Sequence, residues 1–198
     1  MKKKESTSKN KATLLQVQLD QQIWPLERDI LFRPARLKYV RKLIQTQECV
    51  FCSSANNPIS VKTLCVYKTK YSQIVLNKFP YNSGHVLVLP LDHRGQIFDL
   101  SEKAYFDLHQ TLKIAMQAVQ NIYQPSGFNT GMNHGSTGGA GIPNHLHYHV
   151  IPRWNGDLNF FPLIAETKLV IETVEKSYKN FQKYFKQFKS QAPHKGNL

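Results

Sequence analysis

The chain has 198 residues, enough for one domain of ordinary size with tails. Hydrophobic residues at 41% and aromatics at 11% supply a real core and exclude wholesale disorder. A formal charge of +13 invites a polyanionic partner, but residues 1–12 carry +4 and residues 176–198 carry +6, leaving +3 for the body. Solvated basic tails account for that excess, so nucleic acid is not expected to be the main ligand.

No apolar run approaches the roughly 18–20 residues of a membrane helix, and no apolar stretch follows the basic start, so neither an anchor nor a secretory signal is expected. Three cysteines cannot all pair within the chain, which points to a reducing cytoplasm.

In chain order, a basic tail over 1–12 precedes a single domain over 13–189, and a flexible basic tail covers 190–198. Pro34, followed by Ala35, Leu37, Tyr39, Val40, Leu43 and Ile44, predicts a short helix with proline in its first turn. A loop is expected from Cys49 through Asn56, Asn57 and Pro58. Strands are expected over Thr63–Lys68, Ser72–Asn77 and Gly84–Pro90. Ser101 is a good N-cap for a long helix with Tyr105, Leu108, Leu112, Ala115, Val119 and Ile122 on one face, stopped by Pro125, Ser126 and Gly127. Strand-like Phe128–Asn133, a glycine-rich loop and the strand His145–Pro152 follow. A last helix, from about Val170 to Lys189, places Val174, Tyr178, Phe181, Phe185 and Phe188 at spacings of three and four. The pattern is α+β: a mainly antiparallel sheet with helices on one side.

His145, His147 and His149 alternate with Leu146, Tyr148 and Val150. Alternate side chains on a strand share a face, so three imidazoles project together while the apolar residues pack behind. Packing does not explain three histidines at period two beside a glycine loop. A mononuclear zinc site cannot use all three, because at about 3.3 Å per residue the outer pair is roughly 13 Å apart, against Zn–N bonds of about 2.0–2.1 Å. The rings must divide their labour.

The preceding loop, from Asn133 to Gly141, offers backbone N–H groups unshielded by side chains, which can approach a phosphate closely. A neutral imidazole beside such a loop can attack phosphorus and split one displacement into two. Fixed N–H donors and a second imidazole would stabilise charge on the phosphoryl oxygens. This assigns His147 as nucleophile and His149 as its phosphate-binding neighbour. Cys49-Val50-Phe51-Cys52 is one CxxC, open by itself to a redox or a metal reading. Cys65, between Leu64 and Val66, is expected to be a buried strand thiol.

His145-Leu146-His147-Tyr148-His149-Val150-Ile151 resembles the histidine-triad (HIT) signature, in which three histidines alternate with apolar residues. The stretch from Asn77 to His93, with Gly84-His85 and Pro90-Leu91-Asp92-His93, resembles that superfamily's other hallmark, and Gly127 to Pro162 looks most like its bacterial diadenosine tetraphosphate phosphorylase branch. The resemblance covers roughly residues 30–190. It implies a five-stranded, mainly antiparallel sheet with a long central helix and a C-terminal helix, usually in a homodimer. It implies attack by His147 on the α-phosphorus to give a histidine-AMP intermediate. Phosphate then takes the AMP, so that diadenosine tetraphosphate and phosphate yield ATP and ADP.

By position, Asn77 would meet ribose hydroxyls, Asn133 and the Gly138, Gly139 and Gly141 loop would meet phosphates, and His85 would support the nucleophile's surroundings. Hydrolase members often place a Ser or Gln just before the triad, where this chain has Gly141-Ile142-Pro143; a polyphosphate leaving group would need that help least. A HIT-type nucleotide or phosphoramidate hydrolase is the enzymatic alternative, and a nucleotide- or RNA-binding module using its tails is the alternative from another class. For the cysteine pair the resemblance implies a structural zinc held by Cys49, Cys52, His93 and His145.

Overall fold

The computed structural model describes residues 48–157 and 171–191. The helix expected from Pro34, the basic N-terminal tail, the end of the stretch from Gly127 to Pro162 and residues 192–198 of the C-terminal tail lie outside them.

The described elements are α1 (Val50–Asn56), β1 (Cys65–Lys68), β2 (Ser72–Leu76), β3 (Val86–Pro90), α2 (Glu102–Tyr123), β4 (Gly127–Met132), β5 (Tyr148–Arg153) and α3 (Val174–Gln191). Five strands form one sheet in the order β1-β2-β3-β5-β4. Every neighbouring pair is antiparallel.

The central strands β2 and β3 are buried at every position, so both faces of the sheet need cover. Ile74, Leu76, Val86, Val88 and Val150 pack with Leu108, Ala115 and Val119 of α2 and with Phe181 and Phe185 of α3. Cys65, Val75, Leu87 and Leu89, on the other face, pack with Phe51 of α1. Helices therefore cover both faces, where the sequence pattern suggested one. Each large apolar side chain buried in these layers contributes about 1.5–3 kcal/mol.

Helix α2 starts as expected: the Ser101 hydroxyl accepts the Ala104 N–H at 3.3 Å, and Glu102 sits in the first turn. It ends on Gln124 in the left-handed region, φ 46°. Its buried stripe runs through Ala104, Leu108, Thr111, Ala115, Ala118 and Val119, whereas Tyr105 is exposed. Helix α3 begins later than expected, at Val174, where the Thr173 hydroxyl accepts the Lys176 N–H at 3.2 Å. Glu172 ties α3 to α2, its carboxylate accepting from Tyr123, Ser177 and Asn180 at 2.6–2.9 Å.

Gly84 introduces β3 with φ +79°, and a Cβ there would lie 2.7 Å from the Tyr123 ring. Only glycine meets both demands. No described helix is long and apolar enough to cross a membrane.

Candidate active site and metal centre

The histidine segment departs from the expected strand. Ladder pairing starts only at Tyr148, opposite Val88, so His145 and His147 precede the strand. Pro90 explains the break: it has no N–H, and its carbonyl is taken by the His145 Nε2–H at 3.0 Å. The alternation survives nonetheless. Leu146 and Val150 are buried in the helix-side core, with Tyr148 packed against it, and the His147 and His149 rings sit 5.1 Å apart.

Since His145 Nε2 donates to Pro90, its Nδ1 carries the lone pair, 3.5 Å from Cys49 Sγ and 3.6 Å from Cys52 Sγ. His93 Nδ1 lies 3.1 Å from Cys52 Sγ, and the four donor atoms fall within 4.8 Å of one another. The ligand edges of tetrahedral zinc with these bond lengths are about 3.3–3.8 Å, so two thiols and two imidazoles fit that ion. Burial pulls the His145 imidazole down to about 4, reinforced by the charges of His93 and His147. The ring is therefore neutral, as a ligand must be.

The loop expected at Cys49–Pro58 is instead the short helix α1, with Cys49 as N-cap and Cys52 in its first turn. Lys68 Nζ caps its other end, donating to the carbonyls of Ala55 and Asn57 at 2.7 Å. Burial pushes the Cys52 thiol up to about 11, opposite to the depressed value of a reactive cysteine. Cys65 is fully buried in β1 and likewise raised to about 11 by burial.

His147 is 6% exposed, and its Nδ1–H donates to the His145 carbonyl at 2.8 Å. Burial lowers its pKa, so the ring is neutral with its lone pair on Nε2. His85 Nδ1 accepts the Tyr81 N–H at 3.1 Å, which leaves the proton on Nε2, 3.0 Å from His149 Nδ1. His149 then accepts at Nδ1 and carries its own proton on Nε2. The two triad rings thus hold opposite tautomers: His147 offers a nitrogen lone pair and His149 an N–H.

Asn77 lies against this relay. Its Nδ2 is 3.3 Å from both ring nitrogens of His85, while its Oδ1 accepts the Phe79 N–H at 2.9 Å. Asn133 follows β4, whose last residue, Met132, is opposite Tyr148, so the glycine loop leaves the sheet beside His147. Two of its N–H groups are used within the loop, Gly139 to Ser136 at 3.0 Å and Ala140 to Gly135 at 3.1 Å, and Asn133 Nδ2 donates to the Gly139 carbonyl at 3.3 Å. A Cβ at Gly138 would overlap the His134 carbonyl oxygen, and Gly139 has φ +87°. Gly141 follows in the bend that leads into the triad. The loop has a folded shape that requires glycine.

Sequence reasoning missed three contributors. Phe51 packs its ring 5.3 Å from His145 and 5.1 Å from His147. Gln73 donates to the Phe51 carbonyl at 3.0 Å, and Tyr81 acts through its backbone. None carries a sequence signal beyond its residue type.

Residues 60–156 match the family model described as the HIT domain. They are a HIT domain. The cysteine pair lies upstream of that domain, and His93 and His145 lie inside it. The chain is 37% identical over 107 residues to "AP-4-A phosphorylase" of Mycobacterium tuberculosis, covering 54% of this chain and 55% of that protein. It is 32% identical over 114 residues to the asymmetrical bis(5'-nucleosyl)-tetraphosphatase of Schizosaccharomyces pombe, covering 58% and 59%. The chain thus spans about half the length of the curated relatives it matches. A hypothetical histidine triad nucleotide-binding protein from Sulfolobus tokodaii shares the fold with a TM-score of 0.58 at 24% identity, over 76% of this chain and 100% of that one. A Zn-bound histidine triad family protein from Mycobacterium smegmatis gives 0.56 at 23% identity, over 72% and 96%.

Proposed function

We propose that this chain transfers AMP between dinucleoside polyphosphates and phosphate through a covalent intermediate on His147, acting on diadenosine tetraphosphate as a phosphorylase. The opposite tautomers of His147 and His149 carry the reading. The Nε2 lone pair of His147 attacks the α-phosphorus; an Nε2–P bond forms as the bridging P–O bond breaks, and ATP leaves. His149 Nε2–H donates to a phosphoryl oxygen as charge gathers on it. A phosphate oxygen then attacks the same phosphorus, the N–P bond breaks, and ADP leaves with His147 neutral again. Asn133 and the Gly138, Gly139 and Gly141 loop line the phosphates, and Asn77 sits at the ribose side of His85.

The named phosphorylase relative supports phosphate as the acceptor. The tetraphosphatase relative keeps hydrolysis as the second reading, with water in place of phosphate and AMP plus ATP as products.

Cys49, Cys52, His93 and His145 would hold zinc, on the strength of their donor types and spacing. Such an ion would supply a structural cross-link with no part in the displacement. The exposed outer positions Asn129, Thr130 and Gly131 of the edge strand β4 support a homodimer, testable by sedimentation. The protein is read as cytoplasmic, from its thiols.

Incubation with diadenosine tetraphosphate and oxygen-labelled phosphate tests the acceptor. Label recovered in ADP, with unlabelled ATP, supports phosphorolysis. Formation of AMP and ATP at a rate independent of phosphate assigns hydrolysis.

A further inference from the structure

The nucleophile stands where the sheet cannot hold it. β5 pairs with β3 only from Tyr148 onward, and the residues just before are fixed by single main-chain bonds: His145 N–H to Ile142 at 3.2 Å and Leu146 N–H to Arg94 at 2.6 Å. What orients the His147 ring is its bond at 2.8 Å to the His145 carbonyl.

His145 is used twice. Its side chain belongs to the Cys–His donor set, and its main chain takes the His147 proton. Its neighbours in that set bear on the same place. Phe51, between the two cysteines on α1, is buried with its ring against both His145 and His147. His93 adjoins Arg94, whose carbonyl holds Leu146.

Helix α1 has seven residues, far short of the roughly 12–15 a helix needs to persist in water. It is pinned by Gln73 to the Phe51 carbonyl at 3.0 Å and by the Ser54 hydroxyl to Gln73 at 3.1 Å, both residues buried. Its N-terminal end, where the cysteines sit, has no side-chain cap. The four ligands would therefore decide how firmly that end, and Phe51 with it, bears on the triad.

We propose that the metal centre is a positioning device for the nucleophile: when it is filled, His145 and Phe51 are clamped, and together they hold His147 with its Nδ1 proton on the His145 carbonyl. This rests on the readings of His147 as nucleophile and of the Cys–His set as a zinc site. His145 and Phe51 are positioning residues, since neither contacts the reacting phosphorus in this account. Loss of the ion frees the His147 ring to rotate and exchange tautomers, while the β2–β3–β5 ladder and the two-helix layer behind it stay in place.

The test compares the full chain loaded with zinc, the same protein after chelation, and a zinc-loaded Phe51→Leu variant. Long-range proton–nitrogen NMR reads the His147 tautomer, circular dichroism reads the fold, and metal analysis reads occupancy. Loaded protein is expected to show the Nδ1–H form of His147. Chelated protein should show averaging of the two tautomers, with kcat down about 10–100-fold, the range for outer residues that orient a reactive group, and KM changed by less than about threefold. Re-addition of zinc should restore both. Phe51→Leu should keep its zinc yet show partial averaging and a smaller loss of kcat.

An unchanged His147 signature in chelated, folded protein overturns the proposal. Should chelation unfold the chain, the loaded Phe51→Leu protein decides alone, and an unchanged signature there overturns it equally. If no form turns over diadenosine tetraphosphate, the nucleotidyl-transfer reading fails while the spectra still decide the coupling.

Discussion

His85 Nε2 lies 3.0 Å from His149 Nδ1, and the Tyr81 backbone N–H, 3.1 Å from His85 Nδ1, fixes which of the two rings donates. A backbone amide therefore sets the protonation of a triad side chain two residues from His147. Without His85, His149 can place its proton on either nitrogen.

His85→Ala should lower kcat about 10–100-fold, the usual cost of losing a residue that orients a reactive one. His85→Gln, whose side-chain amide can still donate, should recover part of that loss. Steady-state kinetics on the two variants check the relay; equal activity in His85→Ala and the parent protein would contradict it.

With zinc held by Cys49, Cys52, His93 and His145 as proposed, its removal should cost stability. A ligand present at a thousandfold excess over its Kd stabilises the folded chain by about 4.1 kcal/mol, if the unfolded chain does not bind it. At about 2–4 °C per kcal/mol for a chain of this size, the Tm should fall by about 8–16 °C on chelation. Cys49→Ser should lose the same increment and become insensitive to chelator. Differential scanning calorimetry, with elemental analysis of protein purified without added metal, measures both. A Tm indifferent to chelator in protein that contains no zinc removes the site.

Gly138→Ala should act on substrate binding. A Cβ at that position would overlap the His134 carbonyl, so the loop must open its internal turns. Because the loop lies outside the sheet and helix cores, the expected result is KM raised about tenfold or more with the fold retained, the strain being confined to a segment that can open locally. Gly127→Ala in β4, where a Cβ meets nothing within 4 Å, is the matched control.

Much of the fold was legible because the signals were periodic. The apolar run of β3, the Ser101 cap of α2 and the aromatic stripe of α3 each announced an element. Alternation in the triad announced a shared face for its imidazoles, and the His147 and His149 rings do lie together, 5.1 Å apart. Legibility stopped where tertiary contacts take over. Ser53, Asn56, Asn57 and Pro58 read as a turn, yet Gln73 and Lys68, brought from two strands, hold Phe51 and Ala55 in a helix. Likewise His145 and His147 alternate as strand residues do, but Pro90 offers the next position no N–H and gives its carbonyl to a side chain. The tautomers were beyond reach from sequence, since a backbone amide of Tyr81 and a carbonyl of His145 determine them.

The most direct test of the mechanism is to identify the residue that becomes adenylylated. The protein is mixed with diadenosine tetraphosphate in the absence of phosphate, quenched within the first turnovers, and its peptides are weighed. The account expects AMP on the peptide containing His147, attached through the ring, absent in His147→Ala and discharged as ADP when phosphate is added. Continued turnover with no modified peptide, or AMP carried on another residue, would contradict it.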